Sequence, residues 1–327
     1  MNLTKLAKMA NVSVSTVSKA FADSKEISAE TKEEIFKIAK ETGCFEKYYK
    51  PKYSKKLIAV ICPELQGVHY SQMVTQIEKS VREFGDTIII SFSNFSSVNQ
   101  KELIDYFAKF AHVDGIIVIE PVDKIQSADI PIVQISLTDE PSNVNTINVD
   151  IRSAMDEAIK TLKRYGHRNI GFIGEKNTSV EYGYFEEFMQ LNGLEIKPEF
   201  VSVNDGRFYD CGYAGVDEIV TEHSQPTAVF AAYSHVAVGV LQRLDEKGIS
   251  VPDEMTVVCM DDINTTPYMP KKLACVKMHI DELCYQAVRL LYQCFDARFG
   301  TAKHMVTVKR EFTKGETICE LKNNRRI

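Results

Sequence analysis

Apolar and polar positions in the first 46 residues follow the period of short α-helices. A first helix is predicted from apolar residues that share one helical face: Leu3, Leu6, Ala7 and Ala10. A second helix, 14–21, follows the capping residue Ser13, and a third begins after Ser28 and ends at Gly43. Three short helices joined by tight turns predict a compact helix-turn-helix unit.

From residue 57 onward, strand-length apolar runs alternate with helical patterns. Strands are predicted at 57–61, 87–92, 115–119, 131–136 and 146–149, and again at 169–173, 200–203, 228–232, 256–260 and 274–278. The intervening helical segments include 71–84, 100–112, 151–165, 184–192, 212–222 and 235–247. This alternation, repeated twice, predicts an α/β fold with two lobes, each a doubly wound parallel sheet. Because such sheets bind ligands beyond the carboxyl ends of their strands, a binding site is expected in the cleft between the lobes.

These patterns divide the chain into three parts. We expect a helical head at 1–46, a linker at 47–56 and a two-lobed body at 57–327. Within the body, the first lobe is predicted at about 57–149 plus 280–303. The second lobe is predicted at about 150–279 plus 304–327.

Charge is distributed unevenly between these parts. Residues 1–56 contain twelve Lys, no Arg and seven acidic residues, a net charge of +5. Because the whole chain carries −6, residues 57–327 carry −11. A small basic head on a large acidic body is expected of a nucleic-acid-binding arm, although a solvated lysine-rich surface gives the same count.

The overall composition is that of a globular protein. Hydrophobic residues make up 44% of the chain and charged residues 26%, which argues against extensive disorder. The longest apolar runs, such as 57–62, are too short to cross a membrane, and the first residues show no secretory signal pattern. Eight cysteines without a Cys-x-x-Cys pair predict reduced thiols, so we expect a cytoplasmic protein without disulfides.

The sequence lacks the motifs of common catalytic and cofactor sites. It contains no Gly-x-Ser-x-Gly, P-loop, His-Glu-x-x-His or clustered Cys/His pattern. The seven histidines are isolated, and Gly171 and Gly174 do not complete a dinucleotide-binding glycine motif. We therefore expect no catalytic residues, no metal and no cofactor.

The outer face of the second predicted helix carries small and hydroxylated side chains. They are Val14, Ser15, Thr16 and Ser18, followed by the long cation of Lys19. Small residues allow a helix to enter the major groove, and hydroxyl groups bind phosphates. The pattern favours DNA binding, while a polar face exposed to solvent explains it as well.

Residues 3–43 closely resemble the DNA-binding head of the lactose-repressor/galactose-repressor family. The match is carried by the segment VSVSTVSK at 12–19, which fits the family's V-S-x-x-T-V-S-[RK] core. The resemblance implies that Val14, Ser15 and Lys19 contact bases. It also implies phosphate contacts from Ser13, Thr16, Ser18 and Thr31.

The linker departs from the family's pattern. Members usually carry a Pro-Asn element and an Ala-Arg-x-Leu hinge helix, which in a dimer inserts a leucine wedge into the minor groove. Here the segment at 44–56 is CFEKYYKPKYSKK, which is several residues shorter and contains Pro51, a residue that opposes a regular helix. We expect this linker to follow phosphates or the minor groove through cations that include Lys50 and Lys52, without the leucine wedge.

The body resembles the same family, whose fold is similar to that of the periplasmic sugar-binding proteins. Matching segments lie at 58–65, 112–118, 165–174, 226–232 and 248–262. By this resemblance the residues expected to contact an effector are His69, Tyr70, Ser136, Glu181, Arg207, Phe208, Tyr233, Asp261 and Met278. Several polar groups that usually meet a sugar are replaced, since Tyr233 and Ser234 stand for an Asn-Asp pair, Ser136 for an acid and Glu181 for an arginine.

Three kinds of ligand remain open for this cleft: a different small molecule, a sugar held in a non-standard way, or a partner protein. We favour a small carbohydrate or related metabolite. The resemblance implies a homodimeric repressor that binds a palindromic double-stranded DNA operator and is controlled by this effector, with effector binding and dimerisation assigned to the body. The alternative is a cytoplasmic solute-binding or protein-docking module without specific DNA recognition. No membrane partner is expected.

Overall fold

A computed structural model describes residues 2–22, 24, 26–49, 55–126, 128–136, 142–261, 271–296 and 302–321. The chain forms two compact units, residues 1–56 and residues 57–327. Within the described ranges, no helix combines the length and the apolar character needed to span a membrane. All eight cysteines are free thiols.

The described residues of the head unit form four helices: α1 (Leu3–Met9), α2 (Val14–Phe21), α3 (Ala29–Glu41) and α4 (Phe45–Tyr48). Asn2, Ser13 and Ser28 cap the first three, because each side-chain oxygen accepts a hydrogen bond from the backbone N–H three residues later. Asn11 adopts the left-handed conformation, φ 53°, in the turn between α1 and α2. The predicted helix-turn-helix unit is therefore present.

The core of the head extends beyond the predicted boundary at residue 46. Leu6, Val17 and Ile35 are fully buried where α1, α2 and α3 meet. Helix α4 adds Phe45 and Tyr48, whose rings lie 6.0 and 5.9 Å from the ring of Phe21. Residues 47 and 48, which were assigned to the linker, lie in α4, because aromatic packing continues the helical head to the end of that helix.

The first lobe is built on a six-stranded parallel sheet. Its strands are β1 (Leu57–Cys62), β2 (Thr87–Phe92), β3 (Gly115–Ile119), β4 (Ile132–Ser136), β5 (Asn145–Asp150) and β11 (Met305–Lys309). Their spatial order is β11-β5-β4-β3-β1-β2, and all pairs are parallel. Helices α5 (Val68–Glu83), α6 (Ser97–Lys109) and α11 (Ile280–Cys294) cover the sheet. Strands β1, β3 and β4 are buried on both faces, as expected for a parallel sheet.

The second lobe repeats this plan with a second six-stranded sheet. Its strands are β6 (Ile170–Glu175), β7 (Val201–Asn204), β8 (Ala228–Ala231), β9 (Thr256–Met260), β10 (Ala274–Lys277) and β12 (Glu311–Thr313). The order is β12-β10-β9-β8-β6-β7, and the edge strand β12 is antiparallel to β10. Its helices are α7 (Arg152–Arg164), α8 (Ser179–Leu191), α9 (Phe208–Ile219) and α10 (Ser234–Glu246), with a short 3₁₀ turn at Pro198–Phe200.

The C-terminal segment crosses between the lobes at a different point from the predicted one. Residues 304–327 were assigned to the second lobe, but β11 pairs with β5 and Val308 packs in the core of the first lobe. The chain returns to the second lobe through Arg310, directly before β12. The hydrophobic pattern of a five-residue strand does not specify which sheet edge it joins, because that choice depends on tertiary pairing.

Candidate nucleic-acid interface and interlobe cleft

Helix α2 presents one buried and one exposed face. Val17, Ala20 and Phe21 pack into the head core, which leaves the opposite side of the helix in solvent. Ser13 begins the helix by accepting a hydrogen bond from Thr16 N at 2.9 Å, and the two hydroxyl groups lie 2.8 Å apart. A helix N-terminus with hydroxyl groups and an exposed polar face can bind phosphates and contact base edges.

The predicted DNA-contacting residues that the structure describes are all exposed or half-buried. Ser13, Val14, Ser15, Ser18 and Lys19 are exposed at the start and on the outer face of α2, and Thr16 is half-buried. Thr31 is half-buried in the first turn of α3, where its hydroxyl group lies 3.0 Å from that of Ser28. Lys50 and Lys52 lie outside the described residues. DNA contact by any of these side chains stays a prediction.

Lys19 has an acidic neighbour that the sequence patterns do not reveal. Its Nζ lies 2.5 Å from Glu26 Oε2, and both side chains remain largely exposed, at 47% and 68%. The hydrogen bond and charge of Lys19 hold the pKa of Glu26 below its ordinary value. A cation expected to contact bases is therefore paired with a carboxylate at the same surface.

The two lobes enclose a cavity of about 550 Å³ at the carboxyl ends of β3, β4, β6 and β9. Eight of the nine predicted effector residues line it: His69, Tyr70, Ser136, Glu181, Arg207, Phe208, Tyr233 and Asp261. Met278 does not. It is buried in the core of the first lobe, where its Sδ accepts a hydrogen bond from Arg310 Nη2 at 3.3 Å, so the structure places it behind a residue that lines the cavity.

On the first lobe, a carboxylate organises the aromatic wall of the cavity. Glu120 Oε1 lies 3.0 Å from His69 Nε2, and Tyr70 donates its hydroxyl hydrogen to Glu120 Oε2 at 2.6 Å. Burial raises the pKa of Glu120, but the bonds from His69 and Tyr70 outweigh it and lower that pKa overall. Burial by itself lowers the pKa of His69, but the hydrogen bond and charge of Glu120 and the charge of Asp261 outweigh it, so that pKa is raised overall. This arrangement favours an ionised pair.

Arg207 joins the two lobes across the mouth of the cavity. Its Nη2 donates to Glu64 Oε1 of the first lobe at 2.5 Å, and its Nε lies 2.7 Å from Glu175 Oε2 of the second. The guanidinium also lies over the ring of Phe208, 4.8 Å from its centroid. Glu175 additionally accepts hydrogen bonds from Phe208 N and the Tyr233 hydroxyl group. One cation thus connects carboxylates from both lobes.

Three further ionisable groups, Glu181, Asp261 and Arg310, line the same cavity. Burial, followed by the negative charge of Glu120, raises the pKa of Glu181 to about 7. Burial also raises the pKa of Asp261, although His69 and a 3.0 Å hydrogen bond from Ser234 N oppose it. Arg310 is 7% exposed and lines the same cavity, and burial lowers its pKa.

Comparisons with known proteins identify the two units. Residues 2–45 match the model of the bacterial regulatory proteins of the lacI family, and residues 159–318 match the periplasmic binding protein-like domain. The chain belongs to the LacI family of bacterial regulatory proteins. It is a DNA-binding regulator of transcription and not an enzyme.

Relatives of this LacI-family protein share its whole architecture. Catabolite control protein A of Priestia megaterium is 23% identical over 312 residues, which covers 89% of this chain and 92% of that protein. The lac repressor dimer bound to operator and the anti-inducer ONPF superposes with a TM-score of 0.72 at 19% identity, over 98% of this chain and 99% of the other. The transcriptional regulator CelR in complex with cellobiose gives a TM-score of 0.68 at 23% identity, over 97% and 99%. These structural likenesses show the fold.

Several residues of the LacI-family cleft escaped prediction from sequence. They are Glu64, Phe95, Glu120, Glu175, His235 and Arg310, all of which line the cavity. A signal existed for two of them, since Glu120 and Glu175 stand at the carboxyl ends of the buried strands β3 and β6, where such sheets bind ligands. Arg310 gave no such signal, because its position depends on where the C-terminal segment crosses between the lobes.

The cleft also concentrates unusual backbone conformations. Phe95, Glu120, Phe208 and Asp261 line the cavity and adopt positive φ angles of 55°, 47°, 52° and 72°. Such conformations are uncommon for residues other than glycine and persist where surrounding contacts enforce them, often at ligand sites. Four of them around one cavity indicate that the fold holds these side chains in a fixed arrangement.

Proposed function

We propose that this protein is a homodimeric repressor that binds a palindromic operator and responds to a small carbohydrate-related effector in the interlobe cleft. The observation that carries the DNA part is the exposed face of α2, where Val14, Ser15 and Lys19 stand on a helix capped by Ser13. One such helix reaches only a few base edges, so two heads related by a two-fold axis are needed for specificity. The operator-bound dimer of the lac repressor supports this assembly.

The composition of the cavity supports a polyhydroxylated effector. Its volume of about 550 Å³ falls within the range of small-molecule sites. Glu181 and Asp261 offer carboxyl oxygens to hydroxyl groups, and Phe208 and Tyr233 offer ring faces and edges to the apolar side of a sugar ring. The cellobiose complex of a structural neighbour is consistent with this ligand class.

The arrangement of the lobes provides a route for regulation. An effector that contacts both walls of the cleft favours one separation of the lobes over another, as the Arg207 bridge between Glu64 and Glu175 already does. In a dimer, this shift alters the fit of the paired heads to the two half-sites. A coupling of about 1–3 kcal/mol between effector and operator is sufficient to change occupancy.

The proposal is tested by selecting operators from fragments of the source genome with the purified full-length chain. We expect a few palindromic fragments to survive competition with random DNA, a dimer mass by light scattering, and a thermal shift with at least one sugar of a metabolite panel. A chain that binds every fragment equally would contradict the repressor assignment. A monomer that binds its operator with full affinity would contradict the assembly. In the cell, the same binding is expected in the cytoplasm at the selected fragments.

A further inference from the structure

Glu26 stands at the same surface as the DNA-contacting face of α2. It lies in the turn between α2 and α3, and its carboxylate reaches back across seven residues to the ammonium group of Lys19 in the last turn of α2. The Nζ–Oε2 distance is 2.5 Å. Both groups remain accessible to a ligand, because 47% of the Lys19 side chain and 68% of the Glu26 side chain are exposed.

The ion pair between Lys19 and Glu26 contributes little to the folding stability of the head. Ion pairs between exposed side chains contribute little to stability, since solvent screens the charges and two side chains lose freedom. A carboxylate beside a DNA-contacting surface also repels phosphates. The pair therefore weakens general attraction to DNA without much gain in folding. A role in discriminating between sequences accounts for both features.

The ammonium and the carboxylate match the major-groove edge of a G·C base pair. Guanine presents the acceptors O6 and N7, and cytosine presents the N4 amino donor. Guanine O6 and cytosine N4 are hydrogen-bonded to each other, so they lie about 3 Å apart, which is close to the 2.5 Å separation of Lys19 Nζ and Glu26 Oε2. An ammonium has three donors, so Lys19 can keep Glu26 as a partner while it donates to guanine.

We propose that Glu26 is a specificity-determining residue that acts with Lys19 to recognise one G·C base pair in each half-site. Lys19 donates to guanine O6 and N7, and Glu26 accepts from cytosine N4. This inference rests on the DNA binding assigned to α2 in the proposed function. It adds an acidic residue, outside the recognition helix, to the groups that set operator sequence.

The Lys19–Glu26 pair predicts the order in which the four base pairs are preferred at this operator position. A·T places the adenine amino donor opposite the ammonium and thymine O4 opposite the carboxylate, so like groups face each other. C·G places the cytosine amino donor opposite the ammonium and guanine O6 opposite the carboxylate, which is equally unfavourable. T·A satisfies both side chains but offers the ammonium one acceptor where guanine offers two. The expected order is therefore G·C first, T·A second, and A·T and C·G last.

Removing the charge of Glu26 separates its role from that of Lys19. In E26Q the amide both donates and accepts, so the penalty against thymine O4 disappears, and Lys19 can still reach adenine N7. We expect wild-type protein to disfavour A·T against G·C by about tenfold or more per half-site. In E26Q this ratio should fall to within about threefold. In K19A the preference for G·C should be lost.

The experiment uses the full-length chain and the operator that it selects from random DNA. Each operator position is replaced by all four base pairs, and affinity is measured by fluorescence anisotropy at fixed ionic strength for wild type, E26Q, K19A and the double variant. E34Q is the matched control, because Glu34 is an exposed acid on α3 and its removal changes the charge of the head equally. Thermal unfolding confirms that each variant is folded, and E26A serves as a second variant.

The outcomes separate this inference from the proposed function. Support requires that E26Q alter discrimination at one position per half-site, that K19A affect the same position, and that E34Q change all affinities by one common factor. If wild type selects an operator but E26Q behaves like E34Q, Glu26 acts only through its charge and the inference is overturned. If wild type selects no operator at all, the repressor assignment itself fails, and this inference fails with it.

Discussion

The raised pKa of Glu181 predicts that the body loses stability as the pH rises through neutrality. The group has a pKa of about 7 in the folded protein, against 4.5 ordinarily, because it is buried and faces the negative charge of Glu120. Between these two values the folded state holds a proton that the unfolded state has released. Stability therefore falls with increasing pH across this window and changes little from this group below 4.5 or above 7.

The size of the effect follows from the shift. Each pKa unit corresponds to about 1.4 kcal/mol, so the interval from 4.5 to about 7 corresponds to about 3.5 kcal/mol at alkaline pH. Since Glu181 lines an open cavity and is only partly buried by surface area, solvent reduces this figure, and we expect about 2 kcal/mol. Replacing the carboxyl group in E181Q removes the titration and keeps its shape.

The measurement is urea unfolding of wild type and E181Q at pH 5 and pH 8, at constant ionic strength. The two proteins should have similar free energies of unfolding at pH 5, and E181Q should be more stable by about 2 kcal/mol at pH 8. E186Q is the control, because Glu186 is exposed on the same helix, α8. An E181Q advantage that is equal at both pH values, or absent at pH 8, would refute the assignment of a proton to Glu181.

Three further predictions concern the helix packing, the interlobe bridge and the head. G239A should lower the free energy of unfolding by about 3 kcal/mol or more, because a Cβ there would collide with Tyr209 O of α9. G183A, on α8 with nothing within 4 Å, should raise it by roughly 0.5–1 kcal/mol, and denaturant unfolding that shows equal losses for both would contradict this packing. R207A should increase the radius of gyration in X-ray scattering, because it removes the cation that joins Glu64 to Glu175. R243A breaks ion pairs within the second lobe alone and should leave the radius of gyration unchanged. Identical scattering of R207A and wild type would argue against the bridge. S13A should destabilise the head by about 1 kcal/mol through loss of the α2 cap, while S15A, at an exposed position that caps no helix, should not, as judged by circular dichroism melting.

Local sequence predicted the elements that depend on nearest neighbours. Helix α2 begins and ends where capping by Ser13 and the apolar spacing place it, because a side-chain cap and a 3.6-residue period are local properties. The central strands, such as β3 and β9, coincide with their predicted limits, because a strand buried on both faces is a continuous apolar run. The two-sheet α/β plan followed from the order of these elements.

Helices that border the cleft began earlier than their sequence patterns indicated. Helix α8 starts at Ser179 where 184 was predicted, and α9 starts at Phe208 where 212 was predicted. Their first turns carry Glu181 and Phe208, which face the cavity and do not follow the apolar period of the core. When the first turn of a helix carries side chains that face a ligand site, its residues do not follow the apolar period of the core. The hydrophobic pattern then predicts a start that is too late.

The charged groups of the cleft were set by tertiary structure. Sequence reasoning found His69, Arg207 and Asp261 through resemblance to a family, but not their partners, because Glu120 lies 51 residues from His69 and Glu64 lies 143 residues from Arg207. Arg310 reaches the cavity only because β11 and β12 join different sheets. Local propensity determined where helices and strands form, whereas the pairing of strands across two lobes decided which charges meet, because contacts between distant residues leave no periodic trace in a single sequence.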